Sequence, residues 1–171
     1  MNYYREFDHN GLLLAEYQAK IFEKSVSKFA CSSPIFLRRF VKSDLLDRLD
    51  ENESSLIDMN VNMALQDIEN QFGKSNYGKI KYSEEIMFWM GYIYRYISYT
   101  RDISTKIIFK YFKPKQLKEN YYVYHTQSEE WVIERMLEVN GLSEDIFDPN
   151  VRIKELLLND SITSLYRKTQ K

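Results

Sequence analysis

Residues 83–102 read SEEIMFWMGYIYRYISYTRD, and the order of apolar side chains in this stretch decides the fold. Ile86, Met90, Ile93 and Ile97 recur at spacings of four and three, which puts them on one face of an α-helix, while Phe88, Tyr92, Tyr96 and Tyr99 lie on a second. A helix that is apolar over most of its circumference is unfavourable in water and belongs at the centre of a domain, with other helices packed round it. Ser83 is a suitable N-cap for it. Tyr94 and Arg95 fall off both main stripes and are expected to be the exposed members of the run.

Working outward toward the N-terminus, Ala15, Ala19, Phe22, Val26 and Phe29 mark one buried stripe of a helix from Leu12 to Phe29. Ser33 as N-cap and Pro34 at the first helical position start a short helix to about Val41, because proline's missing N–H is unneeded there. Ser43 caps another over Asp44 to Leu49. Asn52 to Ser55 reads as a polar joint. Ile57, Val61, Leu65, Ile68 and Phe72 define a further stripe that Gly73 terminates, and Gly73 to Lys81 reads as a loop.

Toward the C-terminus, Asp102 or Ser104 caps a helix whose inward face is Ile103, Ile107, Ile108, Tyr111 and Phe112, and Pro114 ends it. Tyr121 to His125 reads as extended. Thr126 and Glu129 form a capping box for a helix from Gln127 to Val139, stopped by Gly141. A last amphipathic helix is expected around Val151 to Leu158, followed by a polar tail that frays, as should the first residues. The expectation is one all-α domain over residues 1–171, a bundle or orthogonal array of about six to eight helices around the hydrophobic one.

Composition agrees with that reading. The chain has 171 residues, 44% of them hydrophobic, with 14 Tyr and 10 Phe but only 5 Gly and 3 Pro, too few turn residues for an all-β chain of this length. One cysteine, Cys31, makes no internal disulfide, and one Cys with two separated His offers no zinc site, so a reducing cytoplasm is the expected setting. The segment Leu12 to Ala15 is too short for the hydrophobic part of a signal peptide, and no stretch has the length of a membrane span.

No glycine-rich phosphate loop, nucleophile elbow or paired metal-binding histidine occurs, and no cofactor is expected. His125, beside Thr126, is the better of the two histidines as a general base, but a histidine just before an N-cap more often packs its ring than does chemistry. Binding, not catalysis, is therefore expected. Lys106, Lys110 and Lys113 share a helix face that Lys115 and Lys118 extend, and the turn at Thr100 to Asp102 allows a helix-turn-helix reading with Thr105 and Lys106 opening the recognition helix. A net charge of -1 supplies little of the phosphate attraction that duplex DNA requires. Glu130, Glu134 and Glu138 repeat every four residues with no base at that spacing, and each like pair costs an isolated helix ~0.2–0.5 kcal/mol. Hydration, salt bridges from the chain's own Lys-rich segment or a basic partner would offset that repulsion.

Three segments, EEIMFWMGYIYRYI, DISTKIIFKYFKP and YYVYHTQSEEWVIERMLE, run in this order between Glu84 and Glu138. Together they resemble a family of small helical bacterial proteins that accompany ADP-ribosyltransferase-like toxins and are regarded as antitoxins. Tyr124 stands where that pattern has Leu, and Ser128 where it has Gly. Residues 16–82, including KSNYGKIKYS, look like larger antitoxin-type relatives. The resemblance implies neutralisation of a co-encoded toxin by direct protein contact, with operator DNA as a further partner, and brings no catalytic residue. Arg38, Arg39, Tyr124, His125, Glu130 and Glu134 are the residues expected to meet the toxin. Arg38 and Arg39 are adjacent, about 100° apart on a helix, so at least one faces solvent. The competing reading is a DNA-binding regulator that uses Thr105, Lys106, Lys110 and Lys113.

Overall fold

The computed structural model describes residues 4–155, 157 and 158, and among them there are helices and no strand. The central element is α5 (Glu84–Arg101), where Ser83 Oγ accepts from the Ile86 amide as expected and Asp102, in the left-handed region at φ 47°, ends the helix. Along it runs α1 (His9–Lys28), the most extensive helix pair in the molecule. This helix begins before Leu12 because Asp8 caps it through the Gly11 amide at 2.9 Å. The two helices meet where Gly91 faces Ala19: a Cβ at Gly91 would lie 2.9 Å from Ala19 Cα and 2.9 Å from the Gln18 carbonyl oxygen. A side chain on α5 there would hold α1 away.

Around this pair pack α2 (Ser33–Phe40), α3 (Asp44–Asp50) and α4 (Val61–Phe72), with a 3-10 turn at Ser54–Asp58 that begins within the expected polar joint. Ser43 caps α3 and Gly73, at φ 78°, closes α4 as its sequence requires. The cap of α2 is Ser32, not Ser33: Ser32 Oγ accepts from the Ile35 amide, and Ser33 Oγ takes the amide of Tyr82. One serine thus starts the helix while the next ties down the irregular strap that leads from Gly73 to α5. Two more backbone bonds fix that strap, from the Ser32 amide to Tyr77 O at 3.0 Å and from the Ser33 amide to Ile80 O at 2.9 Å.

After α5 come α6 (Thr105–Tyr111), α7 (Pro114–Glu119), α8 (Tyr121–Tyr124) and α9 (Glu129–Val139), then a 3-10 turn at Glu144–Phe147 and helical residues 149–155, 157 and 158. The described residues thus hold more and shorter helices than six to eight. Ser104, not Asp102, caps α6. Pro114 lies beyond the end of α6 and also opens α7 at a first-turn position, where it breaks no hydrogen bond. Tyr121 to Tyr124 is one helical turn rather than extended, since the Tyr124 and His125 amides bond to Asn120 O and Tyr121 O. Thr126 bonds back to Val123 O at 2.8 Å, and the cap of α9 falls to Ser128, whose hydroxyl accepts from the Trp131 amide. The expected final helix is helical where described, and the polar tail, residues 159–171, lies outside the described residues, as do residues 1–3 of the expected frayed start.

Tyr94 and Arg95 correct the amphipathic reading of α5. Both are fully buried, among the largest side chains so placed. Other helices close over the third side of α5, which two apolar stripes alone would leave to solvent. Tyr94 stacks on Phe109 with ring centroids 4.1 Å apart and donates to Phe112 O at 2.5 Å. Arg95 uses all its N–H groups: Nε to Gln18 Oε1 at 2.9 Å, Nη1 to Leu49 O at 2.8 Å and Ser98 Oγ at 3.3 Å, Nη2 to Asp50 Oδ1 at 3.1 Å and Thr105 Oγ1 at 3.2 Å. Asp50 Oδ2 in turn accepts from Ser104 Oγ at 2.8 Å and the Thr105 amide at 3.0 Å. A charged network therefore joins α1, α3, α5 and α6 inside the core.

Candidate partner-binding groove

The exposed side of α2 borders a concave surface. Ser32 caps the start of this short helix, which presents Pro34, Leu37 and Arg38 along one side, with Val41 just past its last turn. Opposite stand Phe109 of α6 and Pro114 of α7, while Ile80 and Tyr82 of the strap contribute a third wall. Together they enclose about 610 Å³ with a mainly apolar floor. Phe109 is held at the floor by its stack on the buried Tyr94, so the reversed orientation of Tyr94 helps to shape the groove.

Arg38, Lys113, Lys115 and Lys118 stand round this floor with one carboxylate, Glu119. Glu119 is 3.8 Å from Lys115, an exposed pair worth little in water. Lys118 Nζ sits 5.8 Å from the centre of the Tyr82 ring. Burial, aided by Glu119, raises the Tyr82 phenol above its ordinary 10.0, so it stays protonated near neutrality. What this site offers a ligand is apolar area plus positive charge.

Across Arg38 lies a second depression of about 390 Å³, lined by Ile35, Arg39, Lys42, Phe72 and Tyr77. Arg39 is partly committed there: Nη1 donates to Gly73 O at 2.6 Å and the guanidinium lies 6.0 Å from the Phe72 ring centre. Arg38, exposed, borders both depressions.

The residues expected to meet a partner are not gathered in one place. Arg38 and Arg39 are on α2 at the groove, whereas the other four are on or next to α8 and α9, which line neither depression. Tyr124 is buried against Trp131, its ring centroid 5.6 Å away. His125 is exposed, stacked on Tyr121 at 4.3 Å with Nδ1 2.6 Å from Tyr121 O. Glu130 is taken by the buried Arg101, through Nη1 at 2.7 Å and Nη2 at 2.5 Å, and by the Tyr96 hydroxyl at 2.8 Å. Glu138 pairs with Arg135 on its own helix at 2.5 Å, and Glu134 is exposed. Two of the three glutamates are thus balanced by arginines of this chain rather than by its lysines.

Of the residues assigned to DNA, Thr105 is buried, its hydroxyl 2.7 Å from Asp50 Oδ1. Lys106 reaches Asp47 at 2.6 Å, Lys110 lies 5.5 Å from the Tyr111 ring centre, and Lys113 is at the groove. Cys31 is buried. Among the described residues no cluster of His, Cys, Asp and Glu is arranged to hold a metal, and no helix is long and apolar enough to cross a membrane.

The groove floor was missed in the sequence because its parts come from residues 34–41, 80–82 and 109–119. One signal was available: Ile80, 64% exposed, is an apolar residue between Lys79 and Lys81 in a polar strap. Set against models of protein families, curated proteins and solved structures, the chain matches none.

Proposed function

We propose that this chain is an antitoxin-like binding protein, which neutralises a co-encoded toxin by direct contact, with the face of α2 as the principal contact surface. The observation that carries the reading is an apolar groove bordered by Arg38, Lys113, Lys115 and Lys118 against the single carboxylate of Glu119. Concave apolar surface with charge at the edge is what a protein partner uses: the floor supplies affinity and the charges supply orientation and rate of encounter. The sequence resemblance supplies the kind of partner, and Arg38 is the residue common to that expectation and to the groove.

The test is co-expression with the product of the neighbouring reading frame. That product alone should arrest growth, the pair should grow and co-elute as a stable complex, and Arg38→Glu with Lys113→Glu should abolish both rescue and complex. A neighbour without toxicity, or a complex indifferent to those substitutions, would overturn the assignment of toxin or of surface respectively. Duplex DNA bound with a steep loss of affinity on adding salt would instead favour a regulator acting through the basic face of α6.

A further inference from the structure

From the two depressions that share Arg38, we infer the chemistry of the occupant: an acidic amphipathic helix of the partner protein, lying across Arg38 with apolar anchors in both hollows. The inference rests on the partner-binding reading above and goes further in naming what is bound. Three observations carry it.

The first is extent. A hollow of about 610 Å³ and another of about 390 Å³ adjoin along α2, each with its own apolar lining, Leu37, Val41 and Phe109 in one and Ile35 and Phe72 in the other. A small molecule fills one such hollow, whereas a polypeptide spans two. The strap contributes to both linings through the exposed Tyr77 and Ile80, 72% and 64% accessible.

The second is charge. Arg38 and Arg39 on α2, Lys42 in the turn after it, and Lys113, Lys115 and Lys118 beyond surround these hollows, with Glu119 the one acid in their linings. Such a border attracts carboxylates placed beside apolar anchors and repels a basic segment.

The third is backbone. A docked segment must satisfy its own N–H and C=O groups or borrow partners from a sheet edge. No strand exists among the described residues, so no edge is offered, and the strap's bonds at Tyr77 and Ile80 are already made to Ser32 and Ser33. A helix brings its own hydrogen bonds, and its apolar stripe then fits the groove as helix-in-groove recognition requires.

The probe is a fluorescein-labelled peptide of about fourteen residues with leucines at helical spacing and glutamates elsewhere, titrated with the full chain by fluorescence anisotropy. Controls are the same composition with leucines scattered over all faces, the same peptide with lysine for glutamate, and a single-stranded oligonucleotide of equal charge. The acidic amphipathic peptide should bind at least about tenfold tighter than each control and weaken as salt rises. Arg38→Glu with Lys113→Glu, and separately Ile80→Asp, should each reduce affinity about tenfold, with circular dichroism unchanged because these side chains are exposed. No binding, equal binding of the scattered peptide, tighter binding of the oligonucleotide, or indifference to the variants would overturn the inference. A stable toxin complex alongside any of those results would leave the proposed function standing and remove only the acidic helix, whereas loss of the complex as well would remove both.

Discussion

Arg95 is a cation with no exposed surface in the middle of the longest apolar run, and its five N–H groups all find acceptors. Burial lowers its pKa from the ordinary arginine value while Asp50 opposes the shift, and a guanidinium stays charged under either influence. The charge is tolerable only because Asp50, whose side chain is 14% exposed, neutralises it at 3.1 Å. Asp50→Ala would leave that cation unpaired in the core and also remove the acceptor at the start of α6. We expect a loss of about 3–5 kcal/mol, read as a fall in urea midpoint at unchanged slope. Asp50→Asn, which keeps an oxygen for Ser104 and Thr105, should cost less. A midpoint unmoved in Asp50→Ala would show that the network contributes nothing to the fold.

At the scale of elements, the union of α1 and α5 depends on Gly91. Replacing a helical glycine by alanine normally stabilises by about 1 kcal/mol through propensity. Here the added methyl would stand 2.9 Å from two backbone atoms of α1, at Ala19 and Gln18, and 2.9 Å from Phe22. Backbone cannot rotate aside, so overpacking of about 1–3 kcal/mol should exceed the propensity gain and Gly91→Ala should lower the thermal midpoint. A raised midpoint would mean that α1 shifts without cost. Helix ends were largely legible from sequence, since a serine hydroxyl caps an amide two or three residues away whatever the rest of the molecule does: Ser43 and Ser83 cap as read, and Ser104 is one of the two caps read for α6. Capping misread the positions where several small polar residues adjoin. Between Ser32 and Ser33, and between Thr126 and Ser128, local chemistry permits either, and a distant partner such as Tyr82 decides.

For the whole molecule, acid should be the condition that loosens it. Glu53 is held down at about 2 by hydrogen bonds from Arg48 and Ser55, Glu130 is lowered from 4.5 chiefly by Arg101, and Asp8 is lowered from 3.8 chiefly by the Gly11 amide. Each folded value lies below the unfolded one, so each contribution is complete above about pH 4.5 and is lost as pH falls through the folded value. Stability measured by urea should therefore be flat from neutrality to near pH 5 and decline toward pH 2, and Glu130→Gln should make the decline shallower. The same bond explains why α9 accepts its run of glutamates: Arg101 binds Glu130 and Arg135 binds Glu138. By itself the sequence determined that the chain is helical, where its long helices lie and which one is central, because periodicity and caps act over a few residues. Only the tertiary structure decided which way Tyr94, Arg95 and Glu130 face and that a groove exists. Arg95 meets Asp50 across 45 residues, and the groove walls come from α2, the strap, α6 and α7. Burial of a polar side chain depends on acceptors brought from elsewhere in the chain, and no local spacing records them.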